Sequence, residues 1–148
     1  NLSHVDLREA NLNYADVSHA NLIECNLQAA RLNQTRFSHS NLNQACMHKA
    51  YASGALFNDT YLIKANMRSA FLIKTDFENA FMIEADLRGA YVVGANFRNA
   101  NLYKADLRGV DGLTIEQLSQ AKTLYQVQLD DDLMERIQES CAQLLVKA

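Results

Sequence analysis

The chain has 148 residues, 49% of them hydrophobic but only 8% aromatic, with no proline and a formal net charge of −3. That length suits one domain, and no apolar run approaches the roughly 18 residues of a membrane span, so a water-soluble chain is expected. The charge is unevenly spread: Asn1 to Val110 holds 11 basic and 10 acidic residues, whereas Asp111 to Ala148 holds 3 and 7. Neither part has the concentrated basic patch that nucleic-acid binding requires.

From the first residues onward, apolar side chains recur at every fifth position. The series runs Leu2, Leu7, Leu12, Val17, Leu22 and continues unbroken to Leu107, with Ala52 as its one small member. Two residues before each stands something small, usually alanine, as at Ala10, Ala15, Ala30, Ala65 and Ala85. Such self-similarity has to be read before any helix or strand is assigned. A step of five advances about 500° on an α-helix and spreads the series around the axis. In a strand an odd step sends successive members to opposite sides. The pattern becomes consistent only if the chain turns once per pentad. Four turns then close a square coil of twenty residues, and coils stack as parallel strands into an all-β solenoid of about five turns.

Stacking the sequence at a period of twenty sorts it into columns. Val17, Phe37, Phe57, Phe77 and Phe97 fall on one inside face, and the four phenylalanines form the expected structural core. Ala52 underfills its slot, so a small void or local irregularity is expected there. Outside, Arg68, Arg88 and Arg108 stand beside Asn66, Asp86 and Asp106, and Lys64, Glu84 and Lys104 alternate in sign. The other two faces differ. One carries Tyr61, Ile63, Phe81, Ile83 and Tyr103, and the opposite one Tyr51, Phe71, Ile73, Tyr91 and Val93. Two readings of these stripes stay open: stacked neighbours bury one another along the column, or the stripes form a contact surface for a protein partner or a second copy.

After Val110 the pattern of fives stops. Thr114 and Gln117 make a capping box, with Ile115, Leu118 and Leu124 at helical spacing behind it. A second helix is expected to begin near Asp131 or Asp132, with Leu133, Ile137, Leu144 and Leu145 as its apolar face. The expected organisation is a repeat coil over 1–110 and a helical cap over 111–148, in the same structural domain, because solenoid ends expose core and unpaired strand edges.

Candidate chemistry is sparse. Cys25, Cys46 and Cys141 form no CxxC pair, and their odd number leaves a free thiol. His19 and His39 share an outward column with Asp59, the one place to look for a metal, but three possible ligands at most fall short of a site. No nucleophile elbow, phosphate loop, HExxH or paired carboxylate is present. A non-catalytic chain with no cofactor and no small-molecule substrate is expected.

The runs ANLNYADVSHANLIECN and ADLRGAYVVGANFRNANLYKADLRG resemble the pentapeptide-repeat family, whose pattern is A(D/N)LXX. The resemblance spans the first three-quarters of the chain and implies a right-handed quadrilateral β-helix. Against the family pattern, aromatics stand for the usual Asn or Asp at 51, 61, 71, 81 and 91, while Asn11, Asn21 and Asn41 keep it. Helices after the GLT connection are similar to those closing cyanobacterial-type members. Some members mimic DNA and protect a topoisomerase, but mimicry needs rows of negative charge that this near-neutral coil lacks. A scaffold or protein-interaction module is therefore the leading expectation. By the same resemblance a photosynthetic source is expected, and a chain starting at Asn1 fits a thylakoid lumen or periplasm after signal cleavage, or the cytoplasm if trimmed.

Overall fold

A computed structural model describes residues 1–148. From Asp6 to Tyr91, the residue opening each pentad forms a single-residue parallel bridge with the residue twenty positions on, as in Asp6 with Asn26, Asn26 with Cys46 and Tyr51 with Phe71. Leu7 donates its N–H to the Asn26 carbonyl at 2.7 Å, and Asn26 donates to the Val5 carbonyl at 2.9 Å. Between bridges the chain turns, with the fifth N–H bonded back to the second carbonyl, as from Ala10 to Leu7 at 3.1 Å. The strands are thus reduced to one paired residue per pentad, set in four columns.

The fourth residue of nearly every pentad lies in the left-handed region, with φ of 54° at Glu24, 57° at Lys64 and 56° at Glu84. For an L-residue this costs roughly 1–2 kcal/mol. The ladder holds it in place: Lys64 donates to the Ile83 carbonyl one coil on, at 2.9 Å.

The first slot has its own logic. When it is Asn or Asp, its side-chain oxygen accepts the N–H two residues on, as Asn11 does for Asn13 and Asp16 for Ser18. This is the asparagine turn. Where Tyr51 and Tyr61 remove the acceptor, an asparagine one coil earlier supplies it: Asn33 accepts from Ser53 at 3.0 Å and Asn43 from Ile63 at 2.9 Å. Beyond them no asparagine follows in those columns. The amides of Ile73, Ile83 and Val93 find no protein acceptor.

Inside, Phe37, Phe57, Phe77 and Phe97 are buried and stack face to face, with centroids 4.7, 5.4 and 5.4 Å apart. The small slots are buried too, and where Thr60 or Thr75 replaces alanine its hydroxyl bonds to the carbonyl of Phe37 or Ala52. Ala52 corrects an expectation. It is buried, its ladder bonds to Phe71 and from Leu32 through Tyr51 are intact, and no cavity touches it. Backbone pairing, not side-chain volume, sets the coil spacing there.

At the other end Asp111 still pairs with Tyr91, and the chain then leaves the ladder through Gly112 at φ 78°. Thr114 caps helix α1 (Ile115–Ser119) in a reciprocal capping box with Gln117. Gln117 does more: its Nε2 donates to the Ala95 carbonyl at 3.0 Å, in place of the N–H of an absent next coil, and to the Val92 carbonyl at 2.9 Å, which also accepts from Ala95 N–H. Leu124, expected on this helix, is not in it. The chain re-enters the solenoid, pairing Thr123 with Asn101 and Gln128 with Asp106, an offset of 22. Leu124 is buried beyond the bridge, its N–H bonded to the Leu144 carbonyl at 2.8 Å. Helix α2 (Asp131–Ser140) follows, and Leu144 and Leu145 lie in a separate 3₁₀ turn, Ala142–Leu145, instead of extending its face. Cys141, with φ −140°, breaks the helix between them. No helix is long and apolar enough to cross a membrane.

Candidate interaction surface

The ladder presents four outer faces of distinct chemistry. On the arginine face, Arg88 holds Asp86 at 2.7 Å and reaches Asp106 at 3.5 Å, and Arg108 closes on Asp106 at 2.6 Å. Partial burial pushes the Asp86 carboxyl up, but the Arg88 bonds outweigh it and leave the group below the usual range. The Arg108 hydrogen bond likewise holds Asp106 down against its own burial. A carboxylate lowered on folding stabilises the fold above its unfolded pKa, and that stability is lost as pH falls through the folded value. Thermal unfolding should therefore drop on acidification below about pH 4, near the ordinary carboxylate value. In Asp106→Asn, which keeps the asparagine turn, the acid loss should be smaller; an equal loss would show that this cluster does not carry it.

The face through Phe37 and Phe77 is polar outside, with Arg36 near Asp16 at 3.9 Å and Arg98 near Glu78 at 3.8 Å. His19 and His39 stack with parallel rings 5.0 Å apart, and His39 Nε2 lies 4.0 Å from Asp59. Parallel rings aim their nitrogen lone pairs along separate planes, not at one point, and no group of three ligand side chains is arranged for a metal. Cys25 is buried, which pushes its thiol up to about 11, away from reactive thiolate.

The remaining faces carry the aromatic columns. Tyr51, Phe71 and Tyr91 stack at 5.0 and 4.9 Å with ring planes within 4° of parallel. Tyr61 and Phe81 stack at 4.8 Å on the opposite side. The columns thus cover their own inner surfaces, but not completely. On the Tyr51 face, Tyr51 remains 45% and Val93 54% exposed, Ile73 and Tyr91 are exposed as well, and Phe71 is half-buried between its neighbours. On the Tyr61 face, Tyr61 and Phe81 are exposed, but Ile63, Ile83 and Tyr103 are half-buried. Lys104 there sits 5.2 Å above the Tyr103 ring.

One member of that column escapes a reading in fives. Tyr125 stacks on Tyr103 at 5.6 Å, and with Asn101, Thr123, Lys147 and Ala148 they line an open pocket of about 270 Å³. The two extra residues carried by the α1 excursion shift Tyr125 out of phase. Its signal was the short run TLYQVQL, in which Leu124 and Leu129 are again five apart.

Comparison with known proteins places this architecture. A family model for pentapeptide repeats matches in eight copies at residues 1–38, 20–59, 45–82 and 82–111. No curated protein matches the chain in sequence. Among solved structures, a pentapeptide repeat protein from the Arabidopsis thaliana thylakoid lumen is similar at 24% identity and TM-score 0.63, over 82% of this chain and 77% of that one. HetL, involved in heterocyst differentiation regulation in the cyanobacterium Nostoc sp. strain PCC 7120, is 22% identical with TM-score 0.33, over 83% and 78%. QnrB1, a plasmid-mediated fluoroquinolone resistance protein, is 20% identical with TM-score 0.39, over 89% and 84%. Repeat pattern, twenty-residue pairing and family match agree: the chain belongs to the pentapeptide repeat family, whose members fold as quadrilateral β-helices.

Proposed function

We propose that this chain is a non-catalytic interaction scaffold, a stiff ladder that presents the Tyr51 face to a protein. One observation carries the reading. Between Arg31 and Asp111, this face offers Tyr51, Phe71, Ile73, Tyr91 and Val93 around a single charge, Lys74. Contiguous exposed apolar surface marks contact sites, and aromatic side chains on a rigid frame lose little entropy when covered. The column also forgoes the asparagine turn at Phe71 and Tyr91, a local stabilisation of about 0.5–1.5 kcal/mol each. The Tyr61 face, more covered and edged by Lys64, Glu84 and Lys104, is the secondary surface. Elsewhere the titratable groups are matched along outer ladders and do not converge in a cleft, which favours binding over catalysis.

The test uses a photo-cross-linking side chain placed at Tyr91, or at Arg98 on a polar face, in extract of the source cells. A protein adduct specific to position 91 is expected, and it should disappear in a Phe71→Asn/Ile73→Ser background. Asparagine at 71 restores an acceptor for the following turn, so the fold should persist by circular dichroism. Equal labelling from both positions, or no adduct from either, would overturn the reading.

A further inference from the structure

We infer that the Tyr51 face pairs with the same face of a second copy, around a two-fold axis that passes over Phe71 along the strand direction. This rests on the interaction reading above and names its occupant. The column is a palindrome in shape and an antipalindrome in charge: Arg31, Tyr51, Phe71, Tyr91 and Asp111 follow one another at consecutive bridges. A two-fold contact is self-complementary, so residue i meets j whenever j meets i. Turning one copy over this axis lays Phe71 on Phe71, Tyr51 on Tyr91, and Arg31 on Asp111 at both ends.

Three further observations fit this arrangement. The rings stack at a regular 5.0 and 4.9 Å with parallel planes, so the column presents evenly spaced ring edges that a reversed copy of the same column can meet ring for ring. Arg31 and Asp111 are both exposed, and neither takes part in an ion pair or a side-chain hydrogen bond within the chain. Arg8, Arg36, Arg88, Arg98 and Arg108 all have carboxylate partners, and of the coil arginines only Arg31 and Arg68 have none; Arg68 stands on the arginine face, away from this column. Lys74 is the one charge near the axis, and it stands at the turn. Its side chain leans over Gly94 one coil on, where a Cβ would lie 3.3 Å from the Lys74 Cγ, so its ammonium can turn aside into water, away from the Lys74 that the two-fold sets opposite.

Four coil steps span only about 19 Å at strand spacing. The face is therefore smaller than the roughly 800 Å² per partner of a standard interface, and the dimer belongs to the weak, transient class. Its end charges then weigh heavily, because each dimer has two Arg31–Asp111 pairs.

Sedimentation of the full chain from micromolar to millimolar concentration tests the arrangement. Concentration-dependent dimerisation is expected, weakening as salt rises. Arg31→Asp should weaken it by about tenfold by setting like charges opposite at both ends. Asp111→Arg should do the same, and the double exchange should restore association to near the wild-type level. Asp111→Asn, with the residue usual at this slot, serves if the arginine disturbs folding; it should weaken association and abolish its salt dependence. A monomer throughout, or a dimer indifferent to these exchanges, overturns the pairing. In either case a position-91 adduct with a different protein would leave the scaffold reading standing, whereas its absence would remove both.

Discussion

Phe77→Ala is expected to lower the unfolding free energy by about 3–5 kcal/mol, the range for deleting a buried ring. Phe77 is fully buried and lies between two rings, each 5.4 Å away. Neither neighbour can collapse into the gap, because ladder bonds tie the Phe77 coil to the coils before and after it and fix their spacing. Phe57 donates to the Asp76 carbonyl at 2.7 Å and Phe77 to Asn96 at 2.8 Å. In a solenoid each coil is stabilised only by its neighbours, so a hole in a middle coil weakens two interfaces at once. Urea unfolding followed by circular dichroism measures the loss. Phe71→Ala, on the half-buried outer column, should lose less than half as much, and equal losses would contradict the division into inner and outer rings.

Gly112→Ala is expected to cost about 2–4 kcal/mol, from strain and overlap together. The residue has φ 78°, and a methyl there would lie 2.3 Å from Val93 Cγ2, 3.0 Å from its nitrogen and 3.1 Å from its Cα. The valine methyl can rotate away, but the backbone cannot. The exit from the coil must then move, carrying α1 and the Gln117 amide off the Val92 and Ala95 carbonyls. Gly54→Ala is the matched control. Its φ is 68°, but its nearest neighbour is the flexible Gln34 side chain at 3.2 Å, so about 1 kcal/mol is expected. Limited proteolysis should show early cutting after Asp111 in the Gly112 variant and none in the control. Identical behaviour of the two would remove the role assigned to the exit turn.

The repeat coil was legible in the sequence because its period admits one geometry. A step of five fits neither a helix face nor a strand face, and the inner position of Phe77 and the outer position of Phe71 follow from counting alone. The two sides of the capping box at Thr114 and Gln117 were equally plain, being three residues apart. What escaped depended on long-range partners. Leu124 has apolar neighbours at helical spacing, and only the carbonyls left open on the previous coil pull it back into the ladder. Ala52 looked like a gap because side-chain volume can be read in a sequence and backbone pairing cannot. Of the proposed interaction face, the residues were legible, but not the coverage: stacking within 5 Å hides Phe71 more than Tyr51. The lack of intrachain partners at Arg31 and Asp111 becomes visible only in three dimensions, where Arg8, Arg36, Arg88, Arg98 and Arg108 find carboxylates and Arg31 and Arg68 do not.

The amides of Ile73, Ile83 and Val93, left without acceptors where aromatics displaced asparagine, also have a practical consequence. With no acceptor in the chain, such hydrogens should exchange with deuterium far faster than the ladder amides beside them. Each is therefore an unlabelled native probe, two on the Tyr51 face and one opposite. Slowed exchange at 73 and 93 with no change at 83 would report, residue by residue and without any mutation, which side of the ladder a partner has covered.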